Sequence, residues 1–307
     1  MQRILLSLVL LAAGIAVSGE RIPDFTNPEL GMEDLWNDAR WVPDPADPAG
    51  ERGRWTGWFS QDAVDSRKLA EGFIRARVEG EWQEYPLVTL PEDYLDWNFT
   101  SRLQQLGEYR EMLTGGARRS PTLSGPHSGM VATHGAQRRD THFTINNAVK
   151  GVGWLPKAEK LAEVAELFRR TWDDSLTRKL AVLESLYRQG AELFDLTKQT
   201  SLELYARPGF ETHTFLNQMS DPGVTIVFLD MPKSYELRCI AQMLHPENPN
   251  LTDYEKQVVE YINMVHDYFH GKAPRPAIGV IYHVVQVFDN SPPRGAGRRV
   301  VPPYAEG

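Results

Sequence analysis

VTIVFL at residues 224–229 and YELRCIAQML at residues 235–244 decide the fold of this chain. The first stretch is continuously apolar, as in a strand buried on both faces. The second alternates apolar and polar side chains, which is the two-residue period of a strand. DMPKS at residues 230–234 joins them and contains a turn-forming proline. We therefore predict an antiparallel hairpin here.

A helix and a third strand follow this hairpin. TDYE at residues 252–255 is a capping box, so we expect a helix from there to His270, ended by Gly271. Residues 278–288 are the third strand candidate. This order predicts an α+β fold in which an antiparallel sheet of at least three strands packs against several amphipathic helices. Residues 211–289 resemble the second half of a flavin-binding split barrel, although no phosphate-binding residues can be matched in them.

Helical periodicity predicts the covering helices upstream. Apolar residues recur every three or four positions over residues 92–113, 156–172 and 176–187. Weaker helical patterns predict further helices at 62–78 and 191–204. The intervening stretch 114–147 is rich in glycine. Within it, MVAT at 130–133 and HFTI at 142–145 are short strand candidates that could pair as a hairpin.

The N-terminus has the layout of a secretory signal peptide, which we place at residues 1–19. A positive Arg3 precedes an apolar stretch that ends in small residues. That stretch is too short for a bilayer, although a retained membrane anchor is the alternative. We divide the remainder into an irregular Pro/Trp-rich arm (20–60), one globular α+β domain (61–293) and a flexible tail (294–307). The predicted destination is extracellular, or periplasmic in a Gram-negative cell.

Charge and cysteine content limit the partners. The chain has 33 Lys and Arg against 41 Asp and Glu, a net charge of −8, so its acidic surface repels nucleic acid. No later stretch is long and apolar enough to span a membrane. Cys239 is the only cysteine, which excludes an internal disulfide. Two sequons, at Asn98 and Asn250, predict a glycoprotein in a host that glycosylates exported chains.

The glycine-rich segment holds the candidate catalytic residues, His134, Arg138, Asp140 and His142. Catalytic groups lie on loops more often than in cores, and a histidine beside a carboxylate can act as a general base. An arginine could steady an anionic substrate. The alternative is a polar loop whose histidines are solvated.

Tryptophans of the first third are candidate ligand-binding residues, namely Trp36, Trp41, Trp55 and Trp58. Exposed indoles on an exported protein could stack on sugars or another apolar ligand. The alternative is that these large rings anchor the arm to the domain. This pattern supports a second hypothesis, a secreted ligand- or carbohydrate-binding protein without catalysis.

His266 and His270 are the candidate metal ligands. Residues four apart share a helix face, so both imidazoles could reach one divalent metal ion. The alternative is that two histidines simply favour the negative end of the helix dipole. The sequence identifies no other cofactor. Its leading hypothesis is an exported enzyme that acts on a small molecule through histidine acid–base chemistry, with the binding protein and the metal-supported site as alternatives.

Overall fold

The computed structural model describes residues 39–43, 57–115, 124–135, 143–206, 212–292 and 297–304. The helices are α1 (Glu92–Leu113), α2 (Ala158–Arg170), α3 (Leu176–Gln189), α4 (His213–Ser220) and α5 (Asp253–His270). The strands are β1 (Ala39–Pro43), β2 (Gly57–Gln61), β3 (Val64–Asp65), β4 (Phe73–Val78), β5 (Glu81–Pro86), β6 (Ser128–His134), β7 (Ile145–Gly151), β8 (Lys198–Glu203), β9 (Gly223–Asp230), β10 (Lys233–Leu244), β11 (Ile278–Asp289) and β12 (Arg298–Val301). The predicted α+β class is confirmed.

The main sheet has seven antiparallel strands. Its strand order is β12-β11-β10-β9-β6-β7. The remaining strand, β8, shares one edge of β11 with β12: β8 pairs with the N-terminal half of β11, and β12 with its C-terminal half. The predicted hairpin is β9 and β10, and the predicted third strand is β11. The glycine-rich segment also contains a hairpin, formed by β6 and β7. Its predicted first strand, 130–133, lies within β6. Its predicted second strand, 142–145, is misplaced, because residues 143 and 144 are not in a strand and β7 begins at Ile145. The predictions of the β9–β10 hairpin and of β11 are confirmed.

The sheet closes on itself into a barrel beside β7. Gly153, two residues after β7, exchanges two backbone hydrogen bonds of 2.8 Å with Thr200 of β8. The Ser201 hydroxyl donates to the Gly151 carbonyl at 2.9 Å. Since β8 already pairs with β11, these contacts join the two ends of the strand order. The barrel therefore has a distinct interior and an outer face.

The barrel interior is apolar except for one end. Leu237, Ile226 and Val131 are fully buried at its centre. Toward the β7 and β8 end, Lys150 Nζ lies 2.7 Å from Glu203 Oε2, and the Glu203 side chain is only 1% exposed. Gln218 of α4 donates to the other Glu203 oxygen at 2.8 Å. A buried ion pair and a helix therefore complete this end of the barrel.

The longer helices cover the outside of the barrel. α5 crosses β11 at Gly279, where an added Cβ would lie 3.1 Å from Val259, so the glycine permits close packing. The predicted capping box is formed, because Thr252 and Glu255 satisfy each other's backbone N–H groups. Phe168 of α2 packs edge-on against Tyr268 of α5, with ring centroids 4.7 Å apart. These contacts bury the apolar stripes that predicted the helices.

Two predicted helices are strands. Residues 62–78 contain β3 and β4, and β4 pairs with β5 through a tight turn at Glu79 and Gly80. Both turn residues have positive φ, 52° and 83°, which a helix does not allow. Residues 191–204 contain β8, which the tertiary pairing with β11 holds extended. In residues 62–78 the local hairpin of β4 and β5 overrides a weak helical pattern, and in residues 191–204 the long-range pairing of β8 with β11 does so.

The predicted terminal segments contain strands where they are described. β1 and β2 pair antiparallel within and just beyond the predicted arm. β12 lies in the stretch predicted as a tail and pairs with β11. Residues 1–38, which include the predicted signal peptide, lie outside the described residues. Among the residues described, no helix is long and apolar enough to cross a membrane.

Candidate functional site

His134 stands at the open end of β6 and meets a buried carboxylate. It pairs in the sheet with Ile145 of β7, and its side chain is 53% exposed. Its Nδ1 atom lies 4.0 Å from Oδ2 of Asp221, whose side chain is 10% exposed. The second ring nitrogen, Nε2, is the one left to face a substrate. The sequence-predicted histidine therefore lies beside Asp221, a carboxylate that the sequence analysis did not single out.

Two backbone amides fix the Asp221 carboxylate. The N–H of Gly223 donates to Oδ1 at 3.0 Å, and the N–H of Glu79 donates to Oδ2 at 2.8 Å. Glu79 lies in the turn between β4 and β5, so the small sheet contributes directly to the site. These two hydrogen bonds from backbone N–H groups fix the direction of the carboxylate.

Gly135 brings the end of β6 against Asp221. A Cβ built on this residue would lie 2.9 Å from Asp221 Cβ and 3.0 Å from Ser220 Oγ. Gly135 also has φ +133°, which other residues rarely adopt. The close approach therefore requires glycine and holds His134 near the carboxylate.

Hydrogen bonds between α4 and the β6–β7 hairpin fix the position of Asp221. Asn217 Nδ2 donates to Thr133 Oγ1 and to the Thr144 carbonyl, both at 3.1 Å. Asn146 Nδ2 donates to Thr214 Oγ1 at 2.7 Å. Because Asp221 directly follows α4, these bonds anchor its backbone relative to His134.

The outer face of β6, β7 and β9 beside His134 carries no formal charge among the described residues. Its exposed apolar side chains include Met130 (41%), Ile145 (65%), Val149 (71%) and Leu229 (46%). Ala132, Asn147, Thr225 and Val227 lie on the same face. β9 was predicted to be buried on both faces, and this is wrong. Only one of its faces points into the barrel, and the other belongs to this outer surface. We call these eight residues the neutral face.

The other predicted catalytic residues, Arg138, Asp140 and His142, lie outside the described residues. The chain leaves the described structure at Gly135 and returns at Phe143, and the Gly135 N–H donates to the Thr144 carbonyl at 3.2 Å. Their roles stay predictions. Asp221 was missed by sequence analysis. Its one local signal is its position in DPG, between a short amphipathic helix and a strand.

The tryptophan prediction is largely outside the described structure. Trp36, Trp55 and the side chain of Trp41 are not described. Trp58 of β2 is half-buried, and its Nε1 atom is buried without an acceptor among the described groups. The structure does not bring Trp58 to His134 through any contact. The ligand-binding role of these residues stays a prediction.

His266 and His270 lie together at the C-terminal end of α5. Their ring centroids are 4.8 Å apart with planes inclined by 32°. His266 Nδ1 lies 3.1 Å from Asp267 Oδ1. The described residues contain no group of three or more His, Cys, Asp or Glu side chains able to hold a metal ion. The two histidines therefore stand as a pair.

Two further titratable residues are structural. Burial raises the pKa of the Cys239 thiol, which is 2% exposed, so this cysteine is inert. His283 is fully buried on β11 and shares a hydrogen bond of 2.9 Å with Gln242 Oε1. Burial, followed by the charge of Lys198, lowers the pKa of His283 to about 3. The imidazole is thus a neutral core group.

The two sequons differ in accessibility. Asn98 is 1% exposed, and its amide donates to the Tyr94 hydroxyl and accepts from Trp154 Nε1. A glycan cannot be accommodated there in the folded protein, which corrects the prediction for Asn98. Asn250 is exposed in the loop before α5 and stays a candidate.

A surface cleft of about 280 Å³ lies between α2 and α5. It is lined by Leu161, Ala165, Tyr261 and the ion pair between Arg169 and Glu260, whose atoms approach to 2.7 Å. The cleft offers no group for acid–base catalysis beyond this exposed pair. His134 and Asp221 are therefore the candidate site.

Comparisons with known proteins identify no relative. No protein family model and no curated protein matches this chain. Two crystal structures of HupZ from Group A Streptococcus, the second of a variant, are similar at 14% identity. The first covers 54% of this chain and 86% of HupZ with a TM-score of 0.29. The second covers 53% and 89% with a TM-score of 0.28. At these scores the likeness carries no argument about fold or function.

Proposed function

We propose that this chain is a small-molecule enzyme whose proton-transfer group is His134, oriented by Asp221. The observation that carries the proposal is the 4.0 Å approach of a half-exposed imidazole to a buried carboxylate fixed by two amides. A carboxylate behind an imidazole holds one tautomer and stabilises the imidazolium that forms when the ring accepts a proton.

The geometry assigns the two ring nitrogens different tasks. Nδ1 carries its hydrogen toward Asp221, and Nε2 accepts a proton from water or from a substrate hydroxyl. The separation of 4.0 Å exceeds a hydrogen bond. The proposal requires the half-exposed His134 side chain to rotate closer to Asp221, and such bonds often tighten only when substrate binds.

Water is the nucleophile that this site supports. Ser220 lies next to Asp221, but its hydroxyl donates to the carbonyls of Leu216 and Asn217, each at 3.1 Å. Those bonds direct it along α4 and away from a substrate. The described residues therefore offer a general base without an activated serine, and we assign the reaction class as hydrolysis through an activated water.

The neutral face indicates the substrate class. Apolar side chains beside a proton-transfer group favour a small, uncharged and largely apolar substrate, because binding removes their surface from water. A neutral ester or lactone fits both the surface and the base. The sequence analysis also suggested an anionic substrate held by an arginine. That suggestion depends on Arg138, which lies outside the described residues.

Export belongs to the same proposal. Its support is the sequence pattern of residues 1–19, and the glycan candidate is Asn250. N-terminal sequencing of the product recovered outside the cell tests it, with a start near residue 20 expected. Recovery of the protein from the cytosol with Met1 still attached would contradict the proposed export.

The function is tested by screening the purified protein for hydrolysis of short-chain neutral esters and lactones. For every substrate turned over, His134→Gln should lower kcat/KM by about 10²–10⁴-fold, the usual contribution of a general base. Glu163→Gln, an exposed change on α2, is the control and should leave turnover intact. Equal turnover by His134→Gln and the control would exclude His134 as the base.

A further inference from the structure

The last turn of α5 holds two imidazoles side by side. His266 and His270 are four residues apart, so both project from one face of the helix. Their ring centroids lie 4.8 Å apart. The turn is closed by Gly271, whose N–H donates to the Asp267 carbonyl at 2.8 Å. A regular helical turn therefore fixes the spacing of the two rings.

Asp267 settles which nitrogen of His266 is available. Its Oδ1 lies 3.1 Å from His266 Nδ1, and an ionised carboxylate can only accept a hydrogen bond. Nδ1 therefore carries the hydrogen, and Nε2 presents a lone pair. Metal-binding histidines are commonly oriented by such a carboxylate on the other ring nitrogen.

We propose that His266 and His270 together chelate one divalent first-row transition-metal ion, with Asp267 as a positioning residue. Metal–nitrogen bonds of about 2.0–2.1 Å place two ligating nitrogens about 3–4 Å apart. Rings with centroids 4.8 Å apart meet this requirement after small side-chain rotations. This site is separate from the proposed function, because neither histidine contributes to the His134 site.

The surroundings favour a cation. The C-terminal end of a helix carries partial negative charge, and Asp267 adds a full one. The His266 side chain is 27% exposed and His270 is exposed, so an ion can enter from solvent. The described residues supply no third ligand, so water or an external ligand fills the remaining positions.

The ligand set also defines which metals bind. Imidazole nitrogens suit copper and zinc, and affinity rises along the first-row series to Cu²⁺. Ca²⁺ and Mg²⁺ require several oxygen ligands, whereas the two imidazoles supply nitrogen atoms. We expect Cu²⁺ to bind more tightly than Zn²⁺, and Mg²⁺ not to bind.

Equilibrium dialysis of the full chain against Cu²⁺ or Zn²⁺, with elemental analysis, tests the proposal. One ion should bind per chain at this site. His266→Gln and His270→Gln should each lower affinity at least about 10-fold, and Asp267→Asn by about 10–100-fold, the usual cost of losing such a partner. Circular dichroism confirms that each variant is folded.

A composition-matched control separates chelation from histidine content. The double variant His270→Gln/Lys272→His keeps the number of histidines but breaks the four-residue spacing. It should bind as weakly as His270→Gln. Wild-type affinity in both single histidine variants, or in the spacing control, would overturn the proposal.

Discussion

At the scale of single residues, the site depends on a side chain that no local pattern marked. His134 stood out in the sequence because it lies in a glycine-rich segment with other polar groups. Asp221 lies far along the chain and comes to it only through β6–β9 pairing. Local sequence could suggest the base, but the carboxylate became visible only with the tertiary fold.

Gly135 shows the same limit. The sequence shows a glycine at this position but not why a glycine is required there. Only the structure shows that a side chain there would meet Asp221 and Ser220. Asn98 is the reverse case, since its sequon is a local signal that burial overrides.

His283 provides a prediction at the residue scale. Its pKa is about 3 in the folded protein against the ordinary 6.5, so the unfolded chain binds more protons between these values. Stability should therefore rise with pH across this window and be lost as pH falls through it. At pH 5 the loss attributable to His283 is about 2 kcal/mol.

Urea unfolding between pH 4 and 7 measures this effect. His283→Gln, which can still bond to Gln242, should flatten the dependence of the unfolding free energy on pH. His245, whose pKa burial lowers to about 4, adds a slope of the same sign that persists in the variant. An unchanged slope in His283→Gln would show that this histidine is not the buried neutral group described.

At the scale of elements, strong local patterns predicted correctly and weak ones did not. The capping box before α5 and the alternation in β10 depend on near neighbours, and both were evident in sequence. β4 and β8 were predicted to be helical. β4 is held extended by the adjacent strand β5, and β8 by the distant strand β11. The barrel closure between Gly153 and Thr200 has no local signal at all.

The buried pair of Lys150 on β7 and Glu203 on β8 gives a prediction for this closure. Lys150→Met leaves a buried carboxylate without its cation and should cost about 3–5 kcal/mol. The double variant Lys150→Met/Glu203→Gln should cost less than Lys150→Met alone, because no uncompensated charge remains. Chemical denaturation measures both.

An exposed pair serves as the control for this comparison. Lys160 and Glu163 on α2 lie 3.2 Å apart at the surface. Lys160→Met should change stability by no more than about 1 kcal/mol. If Lys150→Met were equally mild, the pair could not be buried at the barrel closure.

At the scale of the whole molecule, three parts of the chain converge at one point. The β6 end supplies His134, the α4–β9 junction supplies Asp221, and the β4–β5 turn supplies an amide that fixes it. The α+β class followed from element order, because strand and helix periods are local. The barrel and its neutral face required long-range pairing, so only the structure could place His134 beside an apolar surface.

Turnover by the His134→Gln and Asp221→Asn single and double variants tests this convergence most directly. Residues that act as one unit lose activity non-additively. We predict that each single change lowers kcat/KM and that the double variant is no slower than His134→Gln alone. Losses that multiply in the double variant, or full turnover in Asp221→Asn, would contradict a histidine that works through this carboxylate.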